Sequence, residues 1–170
     1  MRLPMLVVMI SVYASAASLP ASLDRYAGKW ELQAAASDNI EGAIEKTIAP
    51  MNFVKRPIAR GKLKRRNYAF PRMTIASGAD GLLINQEKGL NVTYQMPNVA
   101  VRTKAPDGAQ VLSTLSAGPG LILNHVTEEG KREDNYILSS DGAVLTMAVS
   151  LSSTHLPQPL TYKLVYGRSK

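Results

Sequence analysis

From Arg72 onward, apolar and polar residues alternate with a period of two, in short runs separated by turn-forming residues. That period marks half-buried strands. The runs read as strands at 72–76, 82–87, 90–96, 99–104, 110–115, 121–127, 132–138, 143–151 and 160–166. A further strand at 26–33 precedes them, with Gly28 allowing a bend or a close backbone approach. The pattern turns helical only in between. Ser37-Asp38-Asn39 is an N-cap cluster, and Ile40, Ala43, Ile44, Thr47 and Ile48 then follow at helical spacing until Pro50. Met51, Val54 and Ile58 suggest a further helical turn or two, kept short or broken by Pro57 and Gly61. The chain is therefore expected to be all-β: an up-and-down antiparallel barrel of about ten strands, with a short helical lid between the first and second. Closure is favoured because so many sequential hairpins would otherwise leave exposed edges.

Turn chemistry fixes which residues face together. With Asp141-Gly142 as a two-residue turn, Leu138 pairs with Leu145 and Tyr136 with Met147. With Glu129-Gly130 as another, Leu123 pairs with Tyr136 and His125 with Asp134. Directly opposed residues share a face. One face then carries Leu121, Leu123, His125, Asp134, Tyr136, Leu138, Leu145, Met147 and Val149, and is assigned to the interior. Asn124, Asn135, Thr146 and Ser150 fall on the other.

Composition narrows the classes. Arg2, the apolar run 3–13 and Ala14-Ser15-Ala16 read as a signal peptide over 1–17, which implies a periplasmic or secreted protein with one domain over 18–170. The chain has no cysteine, which excludes disulfides, thiolate metal sites and cysteine nucleophiles. No cofactor or metal is expected. The formal charge of +7 is concentrated in Lys55, Arg56, Arg60, Lys62, Lys64, Arg65 and Arg66, with no acid between Glu45 and Asp80. This basic surface has three readings: a solvated face, a patch for an anionic membrane surface, or a nucleic-acid site. Only Tyr68 and Phe70 lie nearby to stack on bases, so nucleic acid is not an expected partner.

Gly28-Lys29-Trp30, the helical insert at 37–66, the strand count and the ending Leu164-Val165-Tyr166-Gly167-Arg168 carry a resemblance to the calycin superfamily, the lipocalins and fatty-acid-binding proteins, and to exported bacterial lipocalin-like proteins. The resemblance implies a monomeric barrel that carries a small hydrophobic ligand. It implies that Trp30 plugs the sealed end, with Arg168, or else Lys163, packed over it. It also points to a departure. Fatty-acid-binding proteins hold a carboxylate with Arg-x-Tyr on the last strand and a second Arg two strands earlier. Here the last strand reads Leu164-Val165-Tyr166, and the second position falls at Tyr136 or Ile137. An uncharged ligand, or a charged group left at the portal, fits better.

The candidate ligand-binding residues are thus Leu123, His125, Tyr136, Leu138, Leu145, Met147, Tyr162, Leu164 and Tyr166. They either line an open cavity or fill a solid core. In the second case the chain is a structural or interaction barrel whose basic face binds anionic envelope components. His125 with Asp134 is an acid–base pair or a structural one. No serine motif accompanies it, and the chain is not expected to be an enzyme.

Overall fold

The computed structural model describes residues 21–169 apart from 80, 96 and 119. The expected signal peptide lies outside the described residues. Ten strands form one antiparallel sheet: β1 (Gly28–Leu32), β2 (Arg72–Gly78), β3 (Gly81–Gln86), β4 (Asn91–Tyr94), β5 (Val101–Lys104), β6 (Gln110–Ala117), β7 (Leu121–Thr127), β8 (Gly130–Leu138), β9 (Val144–Ser152) and β10 (Leu160–Arg168). Two helices, α1 (Ile40–Ile48) and α2 (Lys55–Arg66), separate β1 from β2. The sheet order is β4-β3-β2-β1-β10-β9-β8-β7-β6-β5, so β1 meets β10 and curls the meander into a nearly closed barrel. The short strands β4 and β5 are its two edges, and no ladder joins them among the described residues.

The expected strand 26–33 is shorter than its pattern suggests. Residues Ala21–Tyr26 form a 3₁₀ turn that buries Leu23 and Tyr26 at one end of the barrel. Gly28 has φ of +151°, and a Cβ there would come within 2.5 Å of Arg168 Nη1. The glycine thus provides a bend and a close approach together. Asn39 caps α1, its Oδ1 accepting from Gly42 N at 3.0 Å. Ser37 and Asp38 serve another purpose: they accept from Val165 N at 2.9 Å and Lys163 N at 2.7 Å, tying the entry to α1 onto β10.

The helix α2 corrects an expectation. It runs unbroken for 12 residues. Pro57 lies in its first turn, where backbone N–H groups have no intrahelical partner to lose. Asn52 Oδ1 accepts from Lys55 N at 2.9 Å and takes over the capping role. Gly61 costs propensity without breaking the helix.

The β8–β9 register is as expected, with Leu138 opposite Leu145 and Tyr136 opposite Met147. The connection is longer than a two-residue turn, however. Asp141 Oδ1 accepts from Ala143 N and Ser139 Oγ, and only Gly142 takes positive φ. The β7–β8 register differs from expectation. Leu121 opposes Tyr136, Leu123 opposes Asp134 and His125 opposes Arg132. The turn is centred on Glu128-Glu129, because Thr127 pairs with Gly130. The slip is two residues, so every side chain keeps its face. Leu121, Leu123, His125, Asp134, Tyr136, Leu145, Met147 and Val149 are all buried, with Leu138 half-buried at the end of the row.

Candidate functional site

The two ends of the barrel differ. At one end Trp30 is fully buried, its indole N–H donating to Tyr26 O at 3.0 Å. The Arg168 guanidinium lies 4.3 Å from the Trp30 ring centroid and donates to the carbonyls of Ala27, Arg25 and Gly142. One cation therefore ties together the N-terminal turn, the β8–β9 connection and the last strand, while covering the indole face. Lys163 is exposed further along β10.

Above that end the interior is packed. Tyr136, Leu145, Met147 and Tyr166 are 0% exposed, so no water-sized void touches them. Leu123 and Leu164 are enclosed nearly as fully. The Tyr136 hydroxyl accepts from Gln86 Nε2 at 3.0 Å, and burial holds its pKa well above the ordinary phenol value. These residues, expected as ligand contacts, pack against one another.

The open volume lies at the other end, under the helices. A cleft of about 510 Å³ opens between α2, the β7–β8 turn and the β9–β10 loop. Met51, Ile58, Leu63, Val111, Leu151 and Leu156 give it apolar walls. Lys55, Lys62, Arg66, Glu129 and Lys131 stand around its mouth. Of the expected ligand contacts, His125 lines it, and Tyr162 reaches its Asn67 through a 3.3 Å hydroxyl contact.

The cleft ends on a polar layer. Arg132 Nε donates to Asp134 Oδ1 at 2.7 Å. Asp134 is 1% exposed, and the Arg132 side chain 15% exposed. Burial pulls the Asp134 pKa up, but the Arg132 charge and a contribution from His125 outweigh it, so the carboxyl stays below its usual range. Arg132 stays charged for the reciprocal reason, Asp134 outweighing desolvation. His125 Nδ1 is 2.8 Å from the buried Ser113 Oγ. Its Nε2 stands 3.6 Å from Asp134 Oδ2, too far for a hydrogen bond. Serine, histidine and aspartate are adjacent, but the hydroxyl is 0% exposed and the aspartate is held by arginine. Such a serine cannot meet a substrate. Glu133 is exposed on the opposite face, and among the described residues no three potential ligands gather for a metal.

The basic surface is mostly paired. Arg60 makes a two-pronged contact with Glu45, at 2.6 and 2.7 Å. Lys64 meets Glu41 at 3.0 Å, Lys62 meets Glu129 at 2.9 Å, and Arg66 meets both Asp107, at 2.7 Å, and Glu129. Arg56 donates to the Ala49 and Met51 carbonyls. Only Lys55 and Arg65 of the seven lack such a partner among the described residues. The acids come from α1 and from two barrel turns, so α2 is clamped over the cleft.

No family model matches the chain, and no curated protein matches it by sequence. Solved structures do match. Apo lipid binding protein 8 from Caenorhabditis elegans superposes with TM-score 0.57 at 16% identity, over 85% of this chain and 96% of that one. A Schistosoma mansoni fatty acid binding protein in complex with arachidonic acid gives 0.55 at 19% identity, over 88% and 99%. A secretary abundant heat soluble protein from Ramazzottius varieornatus gives 0.59 at 15% identity, over 86% and 96%. The chain has the fold of the fatty-acid-binding-protein barrels. Within this barrel Arg132 is the residue that sequence reasoning missed. It sits on β8 at the same parity as Asp134 and Tyr136, four residues from the position examined for an anchoring cation. Extending the inward row by one step would have found it. The cleft walls had no comparable signal, because α2 and the β9–β10 loop meet only in three dimensions.

Proposed function

We propose that this chain is an exported, monomeric binding protein or carrier for a small hydrophobic or amphipathic molecule, held in the cleft beneath α2. The cleft itself carries the reading: about 510 Å³ of apolar-walled space with a few polar groups at one end. That is the size and chemistry of a small-molecule site. The fold likeness to a lipid binding protein and a fatty acid binding protein supports the same class. Residues 1–17 support export to the periplasm or beyond. Native mass spectrometry and organic extraction of protein secreted by its own host test the reading. A near-stoichiometric hydrophobic molecule is expected. A clean apoprotein that also fails to bind an environment-sensitive apolar probe would contradict it.

The membrane reading of the basic surface takes a narrower form. Phe53 is 86% exposed, and Val54 and Ile58 are also exposed, on the turn into α2 and its first residues. Lys55 lies among them. An apolar tip beside a free cation suits brief contact with an anionic bilayer, where ligand would be collected or released. Phe53→Ser should weaken cosedimentation with phosphatidylglycerol vesicles while leaving probe affinity unchanged, because Phe53 does not line the cleft. Unaltered vesicle binding would remove this surface from the account.

A further inference from the structure

The carrier reading leaves open which end of a ligand enters first and what head group it bears. We infer that the polar layer closing the cleft receives an uncharged hydrogen-bond acceptor, the carbonyl, ester or hydroxyl oxygen of a neutral amphiphile, and discriminates against a carboxylate. This rests on the cleft being the ligand site.

Charge balance sets the discrimination. Among the described residues Arg132 is the only cation in this layer, and a free guanidinium there would anchor a carboxylate. It is not free. Its Nε is 2.7 Å from Asp134 Oδ1, and that carboxylate is enclosed. One positive and one negative charge cancel. A ligand carboxylate would add a second negative charge beside Asp134 in a poorly solvated place, with no second cation to meet it. Among the described residues the mouth supplies none at that depth. Lys62 and Arg66 are engaged with Glu129 and Asp107, and Lys55 and Lys131 are exposed.

Hydrogen-bond donors remain. Arg132 Nη2 and His125 Nε2 have no partner and lie beneath the surface of two residues that line the cleft, so a ligand oxygen reaches them once the wall shifts to uncover them. The Asp134 oxygen near Nε2 favours the tautomer with its proton there, so Ser113 donates to Nδ1 and Nε2 is left as a donor. Asn67 also faces the cleft, but its Oδ1 is shared between Arg132 Nη1 at 3.4 Å and the Tyr162 hydroxyl at 3.3 Å. A neutral oxygen acceptor satisfies spare donors without adding charge. The apolar chain would then run outward along Leu63, Leu151, Leu156 and Ile58.

The test is competition against a bound uncharged fluorescent probe at about pH 8, where a free fatty acid is ionised. A fatty acid, its alcohol and its methyl ester, of one chain length, are compared on the intact mature protein. The alcohol and ester are expected to bind roughly tenfold or more tighter than the acid. Asp134→Asn unmasks the Arg132 charge and should shift the ratio toward the acid by about tenfold. Arg132→Gln with Asp134→Asn, which removes both charges, should restore the preference for neutral ligands. An acid that binds as well as its alcohol in the unaltered protein, or a ratio indifferent to Asp134→Asn in a folded variant, overturns the inference while leaving the carrier reading intact. Failure of the probe and all three ligands to bind overturns both.

Discussion

At the scale of single residues, Gly28, Arg168 and Arg132 do what no other residue type would do in their places. Gly28 combines positive φ with the approach of Arg168 Nη1 to 2.5 Å of a would-be Cβ. Gly28→Ala should therefore cost about 2 kcal/mol or more in chemical denaturation, and a variant as stable as the parent would refute that role. Arg132→Met should be worse, about 3–5 kcal/mol, because it strands the buried Asp134 carboxylate. Alternation revealed this inward row of side chains. Asp134, Tyr136 and Leu138 could be assigned from it even though the β7–β8 turn was placed two residues away, because parity survives an even slip. It could not reveal that the row's cation is already paired, nor that the aromatic and aliphatic residues below it leave no void. Both depend on distances and volumes rather than on order along the chain.

At the scale of elements, the helical pair was legible as an insertion between the first two strands, but its charge was misleading. The run from Lys55 to Arg66 looks unpaired along the chain, yet Glu41, Glu45, Asp107 and Glu129 reach it in space. Three of those pairs, from Lys62 and Arg66 to Glu129 and Asp107, hold the C-terminal half of α2 against the barrel mouth. Exposed ion pairs add little to global stability, but they restrain local opening. Glu129→Gln is accordingly expected to speed probe release several-fold in stopped-flow while moving the thermal midpoint by under about 2 °C; equal release rates would show that the clamp does not gate the cleft. Gly61 offers the opposite handle. A Cβ there meets nothing within 4 Å, so Gly61→Ala should stabilise α2 by about 0.5–1 kcal/mol, read as a raised denaturation midpoint.

At the scale of the whole molecule, one end is sealed, the middle is packed, and the usable volume lies under a clamped helical lid. The pH behaviour of the lid follows from its carboxylates. Asp107 is held below its usual pKa by the Ala109 backbone N–H and by Arg66, and Glu129 by Lys62 and Arg66. A depressed folded pKa means the clamp is fully present above the ordinary carboxylate range and is lost as pH falls through the lowered values. Probe release should stay flat from neutral pH to about pH 4 and rise only below it; a rise between about pH 7 and 5 would point to other groups. The barrel order, with β1 joining β10 and helices after the first strand, was readable from turn signals and period. The proposed site lies apart from the interior row that the pattern pointed to, since the open volume arises where strands, α2 and the β9–β10 loop converge. The most direct measurement is methyl NMR of the mature protein titrated with an uncharged amphiphile. Shifts are expected at Ile58, Leu63, Val111, Leu151 and Leu156, with Leu145, Met147 and Leu164 unmoved. Shifts confined to Leu145, Met147 and Leu164, or none at all under saturating ligand, would contradict it.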